Sequence, residues 1–422
     1  MFMSYFLEHN RYMNIVGIGV ILLIAFIFSK KKRHVDYKLV MNALVLQFII
    51  GLLVLKFPLG REIVRIIADA VTRLYQFADE GAAFVFGSLS NPANPWGVIF
   101  AVKVLPIIIF FGALTSVLFY FGIIQKIVAA VNFILRPLLR TTGAESLCAI
   151  SNSFLGQTEA PLLIRHYLDK MTKSEMLVVM VSGMGTISGS ILAVYASFGV
   201  SASHMLAASV LAVPGSILIA KILYPETERA QIGADAKVEV CSNAENAFEA
   251  ISIGTSDGMM LALNVGAMLI AFLALLALIN SILLWLSGGA NDLLGLMGAS
   301  FALPAIDLNY IFSRLFAPFG YLLGLTGSDA LKAGQLIGTK VSVNEFIAYS
   351  EMVKMHLSPR AEALITYALC GFSNFSCIGI QIGGIGALVP SKRKVLSQLG
   401  LYAVLGGALT NLLSAMIAGL LI

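Results

Sequence analysis

Residues 145–165 read ESLCAISNSFLGQTEAPLLIR, and residues 330–352 read ALKAGQLIGTKVSVNEFIAYSEM. The first stretch carries Glu145, Asn152, Gln157, Glu159 and Pro161, and the second carries Lys332, Gln335, Lys340, Asn344 and Glu345. Each is too polar in its middle to face lipid. Irregular backbone at membrane depth is tolerated only where protein or a water-filled cavity surrounds it. Both stretches therefore read as re-entrant helical hairpins. A span with a polar, glycine-containing break follows each one. The first break is Gly183-Met184-Gly185-Thr186-Ile187-Ser188-Gly189-Ser190, and the second is Cys370-Gly371-Phe372-Ser373-Asn374-Phe375-Ser376-Cys377. Thr186 follows Glu159 by 27 residues, and Asn374 follows Glu345 by 29. Interrupted segments at matching places in two halves form an inverted structural repeat, and they point to a transport site.

The rest of the chain supplies the membrane that this reading needs. Hydrophobic residues make up 58% of it and charged residues 12%, against about 25% charged in a soluble domain. Long runs without a charge reach the roughly 20 residues that cross a bilayer. Eight full spans are expected, at 12–29, 37–57, 98–121, 175–198, 203–224, 248–286, 361–390 and 398–421. The net charge of +5 does not indicate nucleic acid, because the basic residues cluster beside apolar runs at 30–34, 126–140, 165–173 and 391–394. By the positive-inside rule these loops are cytoplasmic. Both termini then lie on the outer face of the cell (inner) membrane, with the first hairpin entering from inside and the second from outside. The N-terminal apolar run has its basic cluster after it and no small-residue cleavage site, so it reads as a span and not as a cleaved signal.

The expected fold class is an all-α polytopic membrane protein with eight transmembrane helices, two re-entrant hairpins in an inverted repeat, and interfacial helices. Residues 60–80 alternate apolar and charged positions at helical spacing, as an interfacial helix does. The expected organisation is a scaffold region over 1–123, a first transport half over 124–224, a cytoplasmic loop over 225–247, a scaffold span over 248–290 and a second transport half over 291–422. Lys103, at the start of the third span, reads as a snorkelling residue. Cys148, Cys241, Cys370 and Cys377 have no CxxC spacing and read as free thiols. The scattered histidines show no metal-ligand spacing.

A carboxylate at membrane depth costs several kcal/mol and is usually functional. Gln157 offers a donor and an acceptor, Thr158 a hydroxyl, and Glu159 acceptors only when ionised. Together they suit a ligand edge with mixed donors and acceptors. The alternative for Glu159 is capping of the second hairpin arm. Glu345 suits neighbouring hydroxyls, and its alternative is an ion pair with Lys340. Asn374 could complete a polyol site or simply satisfy broken backbone. Leu261 and Phe372 could flank a planar ring or pack as ordinary apolar residues. Two acids in one site favour a neutral, hydroxyl-rich or cationic solute over a dicarboxylate. No nucleophile–base pair or paired catalytic aspartates lie within spans, so an intramembrane enzyme is not expected. A channel does not call for two carboxylate-bearing hairpins.

Gly156-Gln157-Thr158-Glu159-Ala160-Pro161, Ala262-Leu263-Asn264-Val265-Gly266-Ala267-Met268-Leu269-Ile270, Val343-Asn344-Glu345-Phe346-Ile347-Ala348-Tyr349-Ser350 and Ala368-Leu369-Cys370-Gly371-Phe372-Ser373-Asn374-Phe375-Ser376 resemble the concentrative nucleoside transporters. The motifs keep that family's order along nearly the whole chain. The resemblance implies a homotrimer in the bilayer that carries nucleosides by cation symport and elevator-like movement of a transport region. It implies base contacts from Gln157, Thr158 and Glu159, ribose contacts from Glu345 and Asn374, and apolar contacts from Leu261 and Phe372, with Ile191 and Cys377 also in the substrate site. Cys377 stands where relatives commonly have a ribose-contacting serine; either that contact is lost, or water or the neighbouring Ser376 takes it over. The resemblance further implies sodium ligands from the Asn152 and Thr186 side chains and the Leu155 and Ile187 carbonyls. Sodium is the expected coupling ion. The open alternatives are proton coupling, with Asn152 and Thr186 only satisfying backbone, and a two-hairpin carrier of another small polar solute.

Overall fold

The structure is a computed structural model that describes residues 5, 7–91, 99–139, 141–228, 244–296 and 304–422. The helices of six residues or more are α1 (Arg11–Ile27), α2 (Tyr37–Leu55), α3 (Pro58–Phe86), α4 (Leu105–Tyr120), α5 (Ile123–Leu139), α6 (Gly143–Ser151), α7 (Lys173–Met184), α8 (Gly189–Ser197), α9 (Ala202–Leu223), α10 (Ala247–Leu296), α11 (Leu308–Leu315), α12 (Ala317–Leu322), α13 (Gly327–Ser342), α14 (Glu345–Met352), α15 (Pro359–Leu369), α16 (Ser376–Leu388) and α17 (Arg393–Leu421). The described residues contain no strand. This is the all-helical class expected from the sequence.

Local chemistry sets the helix starts. The Asp36 carboxylate accepts from the amides of Lys38 and Leu39 and begins α2. Thr172 and Glu175 form a reciprocal capping box at the start of α7, which satisfies two amides that a helix start leaves open. Ser188, Ser201 and Ser358 cap α8, α9 and α15. Pro58 and Pro359 occupy first-turn positions, where the missing N–H has no helical role.

Among the described residues, seven stretches are long and apolar enough to cross a membrane: Glu8–Ile27, Tyr37–Leu55, Phe100–Tyr120, Lys173–Ser197, Ala202–Leu223, Ala247–Leu294 and Pro390–Leu421. The expected span at 361–390 is instead two short half-helices, α15 and α16, on either side of residues 370–375. The span expected at 175–198 is likewise α7 and α8 around residues 185–188. Both glycine-containing breaks are thus real interruptions of helix.

Burial divides the helices into two classes. Lys173–Ser197 and Ala202–Leu223 are each 89% buried over their most apolar stretch, whereas that of Ala247–Leu294 is 0% buried. The buried set includes α17, which packs against α1, α7, α9, α15 and α16. The exposed set includes α10, which runs along α4. That contact is close because glycines line it: a Cβ on Gly112 would stand 2.7 Å from the Gly254 carbonyl and 2.9 Å from the Gly258 Cα. Small residues that let backbones approach are how membrane helices pack without a hydrophobic driving force. With 50 residues, α10 is about 75 Å long at 1.5 Å per residue. It outruns the expected span of 248–286.

Other boundaries shift as well. The helix expected over 60–80 occupies Pro58–Phe86. The first hairpin consists of α6, a tip, and a 3₁₀ arm at Ala160–Ile164. The second consists of α13 and α14. Three helices were not anticipated: α5, and the short α11 and α12 that brace α13. Most of the loop expected at 225–247, namely 229–243 with Cys241, lies outside the described residues. Lys103 does not snorkel: its ammonium pairs with Asp79 of α3 at 2.7 Å and sits 5.5 Å from the Tyr75 ring. A nearby carboxylate offers a half-buried amine more than a distant aqueous surface does.

Candidate functional site

The tips of the two hairpins and the two helix breaks meet at one cavity of about 160 Å³. Its walls include Gln157, Thr158 and Glu159 from the first tip, and Asn344 and Glu345 from the second. Ser188, Ser190 and Ile191 come from the first break and the start of α8, and Phe372, Asn374, Ser376 and Cys377 come from the second break. The exposed helix α10 contributes Leu261, Val265 and Leu269. All nine residues expected around a substrate therefore share one chamber.

The second tip is tied down from several sides. The Asn344 side chain accepts from the Ile347 amide at 2.9 Å and starts α14. Glu345, 6% exposed, accepts from the Tyr195 hydroxyl at 3.0 Å through Oε1 and from Asn374 Nδ2 at 2.9 Å through Oε2. Asn374 Oδ1 in turn accepts from the Cys377 amide at 3.0 Å and the Ser376 hydroxyl at 2.6 Å. Asn374 thus both satisfies the broken backbone and orients Glu345, so its two readings from sequence are compatible. An ionised carboxylate has about four lone-pair sites, so the bonds from Tyr195 and Asn374 leave Glu345 acceptor capacity for a ligand. The ion pair with Lys340 does not form: Lys340 Nζ donates to the Ala368 carbonyl at 2.9 Å and to Asn411 Oδ1 at 2.6 Å.

The first tip is less complete. Glu159 does not cap the 3₁₀ arm. Its Oε2 accepts from the Gly156 amide at 3.1 Å and closes the tip on itself. Gln157 Nε2 donates to Cys377 Sγ at 3.3 Å, and its Oε1 is buried with no partner among the described residues. A buried amide oxygen without a donor costs about 1–3 kcal/mol, so this atom is suited to receive an N–H from a bound molecule.

Behind the tip lie the four residues expected to hold an ion. Asn152 is fully buried; its Nδ2 donates to Ser182 Oγ at 2.9 Å, and its Oδ1 has no partner among the described residues. Thr186 donates to the Ser182 carbonyl at 2.8 Å. Leu155 and Ile187 are buried at the tip and the break. The Gly189 amide reaches the Phe154 carbonyl at 3.1 Å, joining the break to the tip. The unpartnered Asn152 oxygen, with a hydroxyl and uncoiled backbone near it, is the donor set that a hard monovalent cation takes.

Two connections could not be read from the sequence. Tyr195 supports Glu345 from 150 residues away, and Asn411 of α17 donates to the Gly185 and Cys370 carbonyls, one in each break, at 2.7 Å. Asn411 did carry a signal, because it is an amide deep in an apolar span. Cys148, Cys370 and Cys377 are free and buried.

Comparison with known proteins gives a consistent picture. Residues 16–89 match the family described as Na+ dependent nucleoside transporter N-terminus, 101–202 match nucleoside recognition, and 204–419 match Na+ dependent nucleoside transporter C-terminus. The chain is 40% identical to nucleoside permease NupC of Helicobacter pylori, over 97% of each chain. It is 38% identical to sodium/nucleoside cotransporter 1 of Mus musculus, over 98% of this chain and 64% of that one. Its fold is similar to a structure of CNTnw in an inward-facing substrate-bound state, with TM-score 0.89, 38% identity, and coverage of 97% of this chain and 98% of that one.

Proposed function

The chain belongs to the Na+-dependent nucleoside transporter family, also called the concentrative nucleoside transporters, and from that premise we propose that it imports nucleosides by symport with sodium. It is a membrane transporter and not an enzyme. The observation that carries the proposal is a pair of buried acceptors without donors among the described residues, Gln157 Oε1 at the cavity and Asn152 Oδ1 behind it. One awaits a base and the other a cation.

In this reading the base lies between Leu261 and Phe372, with its polar edge toward Gln157, Thr158 and Glu159 and with Ile191 beside it. The ribose hydroxyls donate to the free lone pairs of Glu345, which Tyr195 and Asn374 hold in place. Ser376 and Cys377 border the ribose. Sodium would be held by the Asn152 and Thr186 side chains and the Leu155 and Ile187 carbonyls. Coupling has a physical route, because the Phe372 amide donates to the Thr186 carbonyl at 3.3 Å. An ion that orders the first break also orders the ring-bearing residue of the second. By linkage, sodium and nucleoside then tighten each other's binding by the same factor.

The site is built from the buried transport helices on one side and the exposed α10 on the other. Elevator movement of the hairpins and breaks past α10 would carry the ligand across the bilayer. The exposed face of α10, with Trp285, Leu286 and Leu293, suits contact between copies in a homotrimer. The placement in the cell's inner membrane with both termini outside follows the charge pattern.

The test is uptake of uridine, adenosine and guanosine into proteoliposomes under an imposed sodium or proton gradient. Uptake is expected to rise with an inward sodium gradient at constant pH. Full uptake in sodium-free buffer under an acid-outside gradient would assign coupling to a proton on Glu159 or Glu345 instead.

A further inference from the structure

Lys340 is a buried lysine, 1% exposed, that the substrate chemistry above does not use. It forms no ion pair with any carboxylate among the described residues. Its ammonium donates instead to the Ala368 carbonyl and Asn411 Oδ1. Ala368 lies in the last turn of α15, which ends at Leu369 where the second break begins. The last carbonyls of a helix lack helical donors, and together they carry partial negative charge. A buried ammonium costs several kcal/mol unless its donors are filled, so a cation at this place answers a local demand.

The first half makes the same demand. There α7 ends at Met184 and unwinds through 185–188, and the Asn152 oxygen beside the break has no donor. That half holds no lysine or arginine from Gly143 to Ile164 or from Met184 to Ser190. The two breaks are also joined, because Asn411 reaches one carbonyl in each.

We propose that the Lys340 ammonium is the tethered counterpart of the coupling ion. It neutralises the second helix break and holds Asn374 and Glu345 in binding geometry, so that the second half needs no cation from solution. Lys340 is then a positioning residue, and a single sodium, in the first half, accompanies each nucleoside. The inference rests on the sodium reading of the first half.

The test measures uridine binding to purified full-length protein over a range of sodium concentrations, for wild type, Lys340→Met and Lys340→Ala. Lys340→Met is expected to keep the wild-type elution profile and to bind uridine at least about 10-fold more weakly at saturating sodium, the loss typical of removed hydrogen bonds to a charged group. Lys340→Ala leaves room for a small cation. Its affinity is expected to recover with millimolar methylammonium, or its sodium dependence to steepen from a Hill coefficient near 1 toward 2. A merely structural lysine would give neither response.

Wild-type affinity and wild-type sodium dependence in Lys340→Met would overturn the proposal. So would a loss in folded Lys340→Ala that neither methylammonium nor sodium changes. If the variants fold poorly, the yield of folded Lys340→Ala with and without methylammonium reads the same point, and an amine-independent yield counts against it. Wild-type binding that ignores sodium would refute the sodium reading instead, while amine rescue would still score Lys340.

Discussion

The two halves of the molecule repeat one design and finish it differently. At the second tip the carboxylate is braced by the protein itself: Tyr195 and Asn374 hold Glu345, Ser376 and the Cys377 amide hold Asn374, and Lys340 fills the end of α15. At the first tip two buried oxygens, of Asn152 and Gln157, lack donors. The difference teaches which half waits. The second tip is held by its own side chains, whereas the first offers open acceptors to what arrives.

The sharpest attack on the comparison is on the finished half. Glu345→Gln preserves size and removes charge, and it leaves an amide facing the donors of Tyr195 and Asn374. Bonds to a charged group are worth about 1.5–3 kcal/mol, so uridine uptake is expected to fall by about 10- to 100-fold in protein that still inserts. Near-normal uptake would mean that the second tip does not bind solute. Free uracil should also bind far more weakly than uridine, and equal affinities would remove ribose from Glu345.

The unfinished half is probed by Asn152→Ala. It deletes the unpartnered oxygen, and the rise of uptake with an inward sodium gradient is expected to vanish. A gradient response equal to that of wild type would show that this oxygen serves backbone and not an ion.

The seam between the halves comes next. A Cβ on Gly371 would stand 2.4 Å from Asn411 Oδ1 and 2.7 Å from the Met184 carbonyl. Gly371→Ala should therefore lower stability by about 1–3 kcal/mol, the usual cost of overpacking, seen as a lower melting temperature in detergent. An unchanged melt would show that the breaks are not tightly joined there.

The smallest effect is expected at Cys377→Ser. A thiol is a weak donor and acceptor, so a hydroxyl in its place should hold or improve uridine affinity by a few-fold. A thiol reagent should inhibit wild type, with bound nucleoside protecting it. Labelling indifferent to nucleoside would remove Cys377 from the substrate wall.

Much of this contrast was visible in the sequence, because a polar residue in an apolar run is conspicuous. Glu159, Glu345, Asn152 and Asn374 stood out for that reason, and so did both breaks. The partners of those groups were not visible. Tyr195 reads as one more aromatic in a buried helix, and only the folded chain brings it to Glu345. Lys340 read as the natural ion partner of Glu345 because the two are close in sequence. The structure turns its ammonium toward Ala368 and Asn411, since a helix end with open carbonyls competes with the carboxylate. The helices α5, α11 and α12 escaped notice because they are short or amphipathic and lack the long apolar run that marks a span. The extra length of α10 escaped for the opposite reason: Ser287-Gly288-Gly289 reads as a turn that ends a span, yet the helix runs on through it to Leu296.

The length and exposure of α10 have one more consequence. Leu261, Val265 and Leu269 stand at four-residue intervals on the side that faces the cavity. Ile253, Asp257 and Leu261 continue the row past Glu159 and Ser190 into an adjoining cleft. From Ile253 to Leu269 the row climbs about 24 Å at 1.5 Å per residue. It is a graduated rail, with a side chain at nearly every turn and one acidic mark upon it. Under the proposed elevator movement, a carriage on such a rail would travel in increments of a helical turn, and its passenger would keep one wall throughout the journey.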